Sequence, residues 1–94
     1  MTTMFVRHKV DDYKNWKRVY DEIAHVRKEN GVTAASVHRD TKDPNTIMVT
    51  HRFKDMNAAS KFATSADLKS AMEKAGVNSQ PEFWFGEDLE STSY

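Results

Sequence analysis

Between Tyr13 and Val26 the apolar residues of this chain fall three and four apart: Tyr13, Trp16, Val19, Tyr20, Ile23 and Val26. That spacing lines one face of a helix. Lys14, Lys17, Arg18, Asp21, Glu22 and Lys28 fill the other positions, so the opposite face is charged. A helix with a single apolar stripe needs a surface to lay it on. The segments on either side supply one. Residues 3–10, TMFVRHKV, precede the helix and residues 32–39 follow it; both are short runs with β-branched or aromatic content and read as strands. Asp11 or Asp12 can cap the helix start by accepting from free backbone N–H groups. Gly31, after Asn30, suits the left-handed residue that closes the helix.

The same alternation repeats in the second half. Asp40 to Asn45, DTKDPN, has turn composition, because Pro44 cannot donate to a ladder and Asp and Asn bend the chain locally. Thr46 to Phe53 is a third strand, forming a hairpin with the second. Asp55 can cap a helix carrying Met56, Ala59, Phe62 and Ala63. Ser65 can cap another carrying Leu68, Met72 and Ala75, closed by Gly76. A loop through Pro81 leads to a last strand, Glu82 to Leu89. The order βαββαβ predicts a single ferredoxin-like α+β domain over residues 1–94, with sheet order 4-1-3-2 and helices on one face. Residues 91–94 read as a loose tail.

Helices on one flank leave the other flank of the sheet uncovered. The consecutive Phe83, Trp84 and Phe85 must send aromatic rings to both flanks. Strand 1 places Thr3, Phe5, Arg7 and Lys9 on one side and Met4, Val6, His8 and Val10 on the other. Strand 3 sets Ile47, Val49, His51 and Phe53 against Met48, Thr50 and Arg52. Both sides mix apolar with polar residues. Such a face suits the wall of a chamber closed by a second copy, sheet against sheet across a two-fold axis. A chain of 94 residues buries a modest share of its surface alone and gains from that cover. The alternative is a mixed face left wet in a monomer. Which flank meets the helices is open at this stage, and with it whether His8 or Arg7 lines an enclosed space.

Composition narrows the partners. Fourteen basic residues balance fourteen acidic ones, which argues against nucleic acid and against a polybasic membrane surface. The absence of cysteine excludes disulfides, zinc–thiolate sites and thiol nucleophiles, and fits a cytoplasmic setting. There is no glycine-rich phosphate loop, nucleophile elbow or HExxH motif.

The stretches MFVRHKVDDYKNWKRVYDE, GVTAASVHRD, TIMVTHRFKDMNAASKFATSADLKSAMEKAGV and PEFWF resemble the dimeric α/β-barrel superfamily. Within it they are most similar to small antibiotic-biosynthesis-monooxygenase-like proteins, some of them labelled cyclases. The resemblance spans residues 4–88. It implies a homodimeric barrel, a ligand pocket between sheet and helices, and oxidation of aromatic or polyketide-like substrates without metal or flavin. Haem-degrading relatives use Asn on the first strand and Trp on the third. Strand 1 here has no Asn and strand 3 no Trp, so haem is discounted. The Asn, Trp, Tyr and Arg set of the polyketide monooxygenases does not map onto this chain, so no catalytic role is carried over.

The residues suggest their own candidates. Read as parallel neighbours, strands 1 and 3 bring His8 and His51 side by side. A neutral imidazole can take a proton from a phenol or hydroquinone near neutral pH, the first step of a cofactor-free oxygenation. The plain alternative is two half-buried histidines bonded to their neighbours. His38, near the hairpin turn, lies ~13 Å along strand 3 from His51, so no three-histidine metal centre is expected. Arg7, Arg39 and Arg52 are candidates to bind an anionic substrate oxygen or to hold a dimer ion pair, and His38 is a candidate ligand contact. Trp84 and Phe85 are candidate walls for an aromatic ligand, and the polar tip of Tyr20 is a candidate at the pocket edge. Ordinary packing competes with each of these readings. Two functions stand together: a cofactor-independent monooxygenase or cyclase-like enzyme, and a non-catalytic or stress-associated dimer that only holds a small ligand.

Overall fold

The computed structural model describes residues 1–94. Its elements run β1 (Thr2–Lys9), α1 (Tyr13–Glu22), α2 (Ala24–Glu29), β2 (Ala34–Arg39), β3 (Thr46–Phe53), α3 (Met56–Ala63), α4 (Ala66–Lys74) and β4 (Glu82–Glu87). The sheet order is β2-β3-β1-β4, and all three pairings are antiparallel. This is the ferredoxin-like βαββαβ arrangement. No helix is long and apolar enough to cross a membrane.

The expected caps form. Asp12 accepts from the Asn15 N–H at 3.2 Å, Asp55 from Ala58 at 2.9 Å and Ser65 from Leu68 at 3.1 Å. Each oxygen satisfies a backbone donor that the first helical turn leaves free. Gly31 and Gly76 take the positive φ values, +90° and +79°, that let the chain turn out of α2 and α4.

Two expectations need correction. The helix from Tyr13 to Asn30 is broken at Ile23, whose φ and ψ of −99° and 20° leave the α region. α2 therefore starts without a side-chain cap and is held mainly by what it packs against. More consequential, β1 and β3 are antiparallel. Met4 lies opposite His51, and His8 lies opposite Ile47. The two histidines share a flank of the sheet but stand four residues apart along it, about 13 Å at the rise of a strand. They are not a side-by-side pair. A split βαβ unit puts a reversed strand, β3, into the gap between β1 and β2, so β3 runs antiparallel to β1.

The helices cover the flank bearing Met4, Val6, His8, Ile47, Val49, His51 and Phe53, all of them buried. The buried apolar residues form two clusters. Met4, Val6, Phe53, Ala59, Phe62 and Leu68 lie under α3 and α4. Val10, Trp16, Val19, Ile47, Val49 and Ala75 join the other end of the sheet to α1 and the end of α4. Phe5, Arg7, Trp84 and His38 sit on the uncovered flank.

Candidate functional site

A partly open cavity of about 50 Å³ lies at the seam between the two clusters, bordered by β1, β3 and all the helical segments. Val6, Phe62 and Leu68 reach it from one cluster; Trp16, Val19, Val49 and Ala75 reach it from the other. Of its thirteen lining residues eleven are hydrophobic, and the two exceptions are His51 and Arg27. Ligand sites usually hold several hundred Å³. Admission of an aromatic ring therefore requires lining side chains to move. One of them, Met72 on α4, is an unbranched, adaptable side chain.

His51 is held by the centre of β3, between Met4 on β1 and Ala35 on β2. The edge of its ring meets Phe62 at a centroid distance of 5.5 Å. Its Nδ1 is buried without a hydrogen-bond partner in the chain. Burial above all, then the charge of Arg27 and repulsion from a protonated His8, together lower its pKa from 6.5 to about 4. The imidazole is thus neutral at neutral pH. His8 is also buried, with neither ring nitrogen partnered, and burial alone brings its pKa to about 4. Its ring packs against Trp16 at 5.9 Å. It does not border the cavity.

Tyr20 does border it, as expected. Its ring stacks on Trp16 at 5.0 Å and 22°. Stacking of this kind adds roughly 0.5–1.5 kcal/mol to the burial of the rings. Arg27 lays its guanidinium over the Tyr20 ring, 3.5 Å from the centroid, and donates to the Tyr20 carbonyl at 2.6 Å. The sequence reading did not single out Arg27. Its signal was present: it lies seven residues after Tyr20 and four after Ile23, which places a cation in the apolar stripe.

The remaining candidates lie elsewhere. Arg7, His38 and Trp84 share a hollow on the open flank with Phe5, Met48 and Thr50. Arg7 pairs with Glu82 at 3.2 Å, and His38 Nε2 is 2.9 Å from the Ser36 hydroxyl. Trp84 is 51 % exposed. Phe85 alternates to the other flank and borders a surface hollow near Met1 and Met56. His8, His38 and His51 do not converge, because His38 lies across the sheet from the other two. The structure thus brings together His51, Tyr20 and Arg27, and separates them from Arg7, His38 and Trp84.

Fold and cavity together define a small ferredoxin-like domain with an apolar chamber between sheet and helices. The sequence profile of the antibiotic biosynthesis monooxygenase family matches residues 4–74, and the chain belongs to that family. No curated protein matches it. Among solved structures it is similar to a candidate antibiotic biosynthesis monooxygenase from Bordetella bronchiseptica, at 10% identity and TM-score 0.78, covering 95% of this chain and 97% of the other. It is also similar to SnoaB, a cofactor-independent oxygenase from Streptomyces nogalater, at 13% identity and TM-score 0.75, covering 96% and 94%. A third likeness is to a candidate family member from Caulobacter crescentus, at 16% identity and TM-score 0.74, covering 95% and 90%. At these identities the likeness shows the fold.

Proposed function

We propose that this chain is a cofactor-independent monooxygenase acting on a small aromatic or polyketide-like compound in the cavity between sheet and helices. His51 is the group that takes the first proton. The observation that carries this reading is a neutral, buried imidazole with an unpartnered nitrogen on a wall that is apolar apart from it and Arg27. Family membership and the likeness to an oxygenase that works without cofactor support it.

The chemistry balances without a further reductant. His51 removes a proton from an activated CH₂ of an anthrone-like substrate. The carbanion passes its electrons to O₂ and forms the C–O bond of a peroxide. The imidazolium returns the proton, and the hydroperoxide loses water to leave a C=O. One O₂ is consumed per substrate; one oxygen atom stays on carbon and the other leaves as water. An imidazole with so low a pKa is a weak base toward water. The anion formed beside it stabilises the imidazolium, and the surrounding apolar wall strengthens that attraction.

The test is oxygen uptake by the purified protein over a panel of hydroquinones and anthrones in air. Uptake above buffer is expected, with a fall of roughly 10²–10⁴-fold in His51→Ala, the usual worth of a positioned proton acceptor. His8→Ala keeps most of the rate. If parent and His51→Ala both match buffer, the oxygenase reading fails. Ligand-induced rises in melting temperature without turnover would instead support a ligand-holding protein, a role that the apolar lining also suits.

The open flank belongs to the same reading. Phe5 at 44 % and Trp84 at 51 % exposure present large apolar surface beside Met48. We infer that a second copy covers them, sheet to sheet, and closes a barrel.

A further inference from the structure

Arg27 occupies an uncommon position for a cation. It stands on the wall of an apolar cavity, and none of the chain's four ion pairs includes it. The neighbouring carboxylate, Asp21, is engaged by Lys17 at 2.6 Å. The guanidinium spends one donor on the Tyr20 carbonyl and lays its face on the Tyr20 ring. A guanidinium carries five N–H donors, so most of its donor capacity is uncommitted. The side chain is half-buried, so an anion entering the cavity would meet a partly desolvated charge with free donors. The planar fork is shaped for two parallel bonds to a carboxylate or to adjacent oxyanions. The stacked rings of Trp16 and Tyr20 lie in the same wall and offer flat surface to an aromatic body.

We propose that Arg27 is an anion-binding, specificity-determining residue, and that the cavity selects aromatic compounds carrying an acidic oxygen, a carboxylate or an ionised phenol or enol, over their neutral isosteres. This rests on the reading of the cavity as the ligand site and is independent of turnover. Neutral His51 fits the same selection. It brings no competing positive charge of its own, and a bound anion would favour its taking up a proton.

The experiment is calorimetric titration of the full chain with naphthoate and with naphthamide, which share size and shape but differ in charge. Naphthoate is expected to bind at least roughly tenfold more tightly, about 1.4 kcal/mol. Arg27→Met should weaken naphthoate to the level of naphthamide and leave naphthamide unchanged. Arg27→Lys should keep part of the preference. Equal binding of the two probes by the parent overturns the proposal, as does binding of neither at millimolar concentration. Arg27→Met weakening both probes alike also overturns it, because that is the mark of a residue that only props Tyr20. Oxygen uptake is not read, so a chain that fails as an oxygenase can still pass this test.

Discussion

At the scale of single residues, His8 and His51 tie stability to pH. Both pKa values fall from 6.5 to about 4 on folding, because burial penalises the charged ring. Between those values the unfolded chain binds more protons than the native one, so stability rises with pH through this window. The neutral-ring contribution is complete above pH 6.5 and is lost as pH falls toward 4. By pH 5 each histidine is expected to cost roughly 2 kcal/mol relative to pH 7. Urea unfolding at the two pH values checks this. Replacing both rings with Leu should flatten much of the difference; an undiminished slope would show that other groups cause it. Both histidines were legible as candidates because they stood out in otherwise apolar alternation. Their separation was not, because it depends on strand direction rather than on residue type.

At the scale of elements, glycine placement and caps decide where helices stop. The positive φ of Gly76 is one that other L-residues adopt at a cost, and an added Cβ would lie 3.5 Å from an Asp11 carboxylate oxygen. The contact itself is ordinary; the backbone conformation is not. Gly76→Ala should therefore cost about 1–2 kcal/mol, lowering the melting temperature by several degrees in a domain of this size. A melting temperature within a degree of the parent would contradict that account. The Gly76 turn matters beyond α4, since the Asp11 N–H donates to the Gly76 carbonyl at 3.0 Å and Val10 bridges Val77. It thus ties the end of α4 to the end of β1, beside the cluster that walls the cavity. The break at Ile23 acts the other way. It ends α1 before α2 begins, while Arg27 reaches back to the Tyr20 carbonyl across it.

At the scale of the whole molecule, the proposed assembly rests on the open flank. A second copy laid on it removes Phe5, Trp84 and Met48 from water, worth about 25 cal/mol for each Å² of apolar surface covered. The purified chain is expected to sediment as a dimer at micromolar concentration. A Phe5→Asp Trp84→Asp variant should sediment as a monomer while keeping its native circular dichroism, because both side chains point away from the buried clusters. A monomeric parent would remove the barrel from the proposal. In the proposed dimer, Arg7 and His38 would be polar groups beside that contact, a role that needs no substrate.

The local pattern of the chain determined its elements. Thr46–Phe53, the Asp12, Asp55 and Ser65 caps and the left-handed glycines are each decided within a few residues, and so they are legible there. The two sides of every strand were equally legible, because side chains alternate with a strict period of two. Which side meets the helices, and in which direction β3 runs beside β1, were decided only by tertiary structure. Those choices depend on hydrogen bonds and packing between segments some forty residues apart in the chain. They are what placed His51 on a cavity wall, left His8 beside Trp16 outside it, and turned Arg7 and Trp84 to the far flank. Arg27 is the mixed case: its place in the helical stripe was written in the spacing, but its position on the cavity wall, outside every ion pair, depended on the packing of α2 against the sheet.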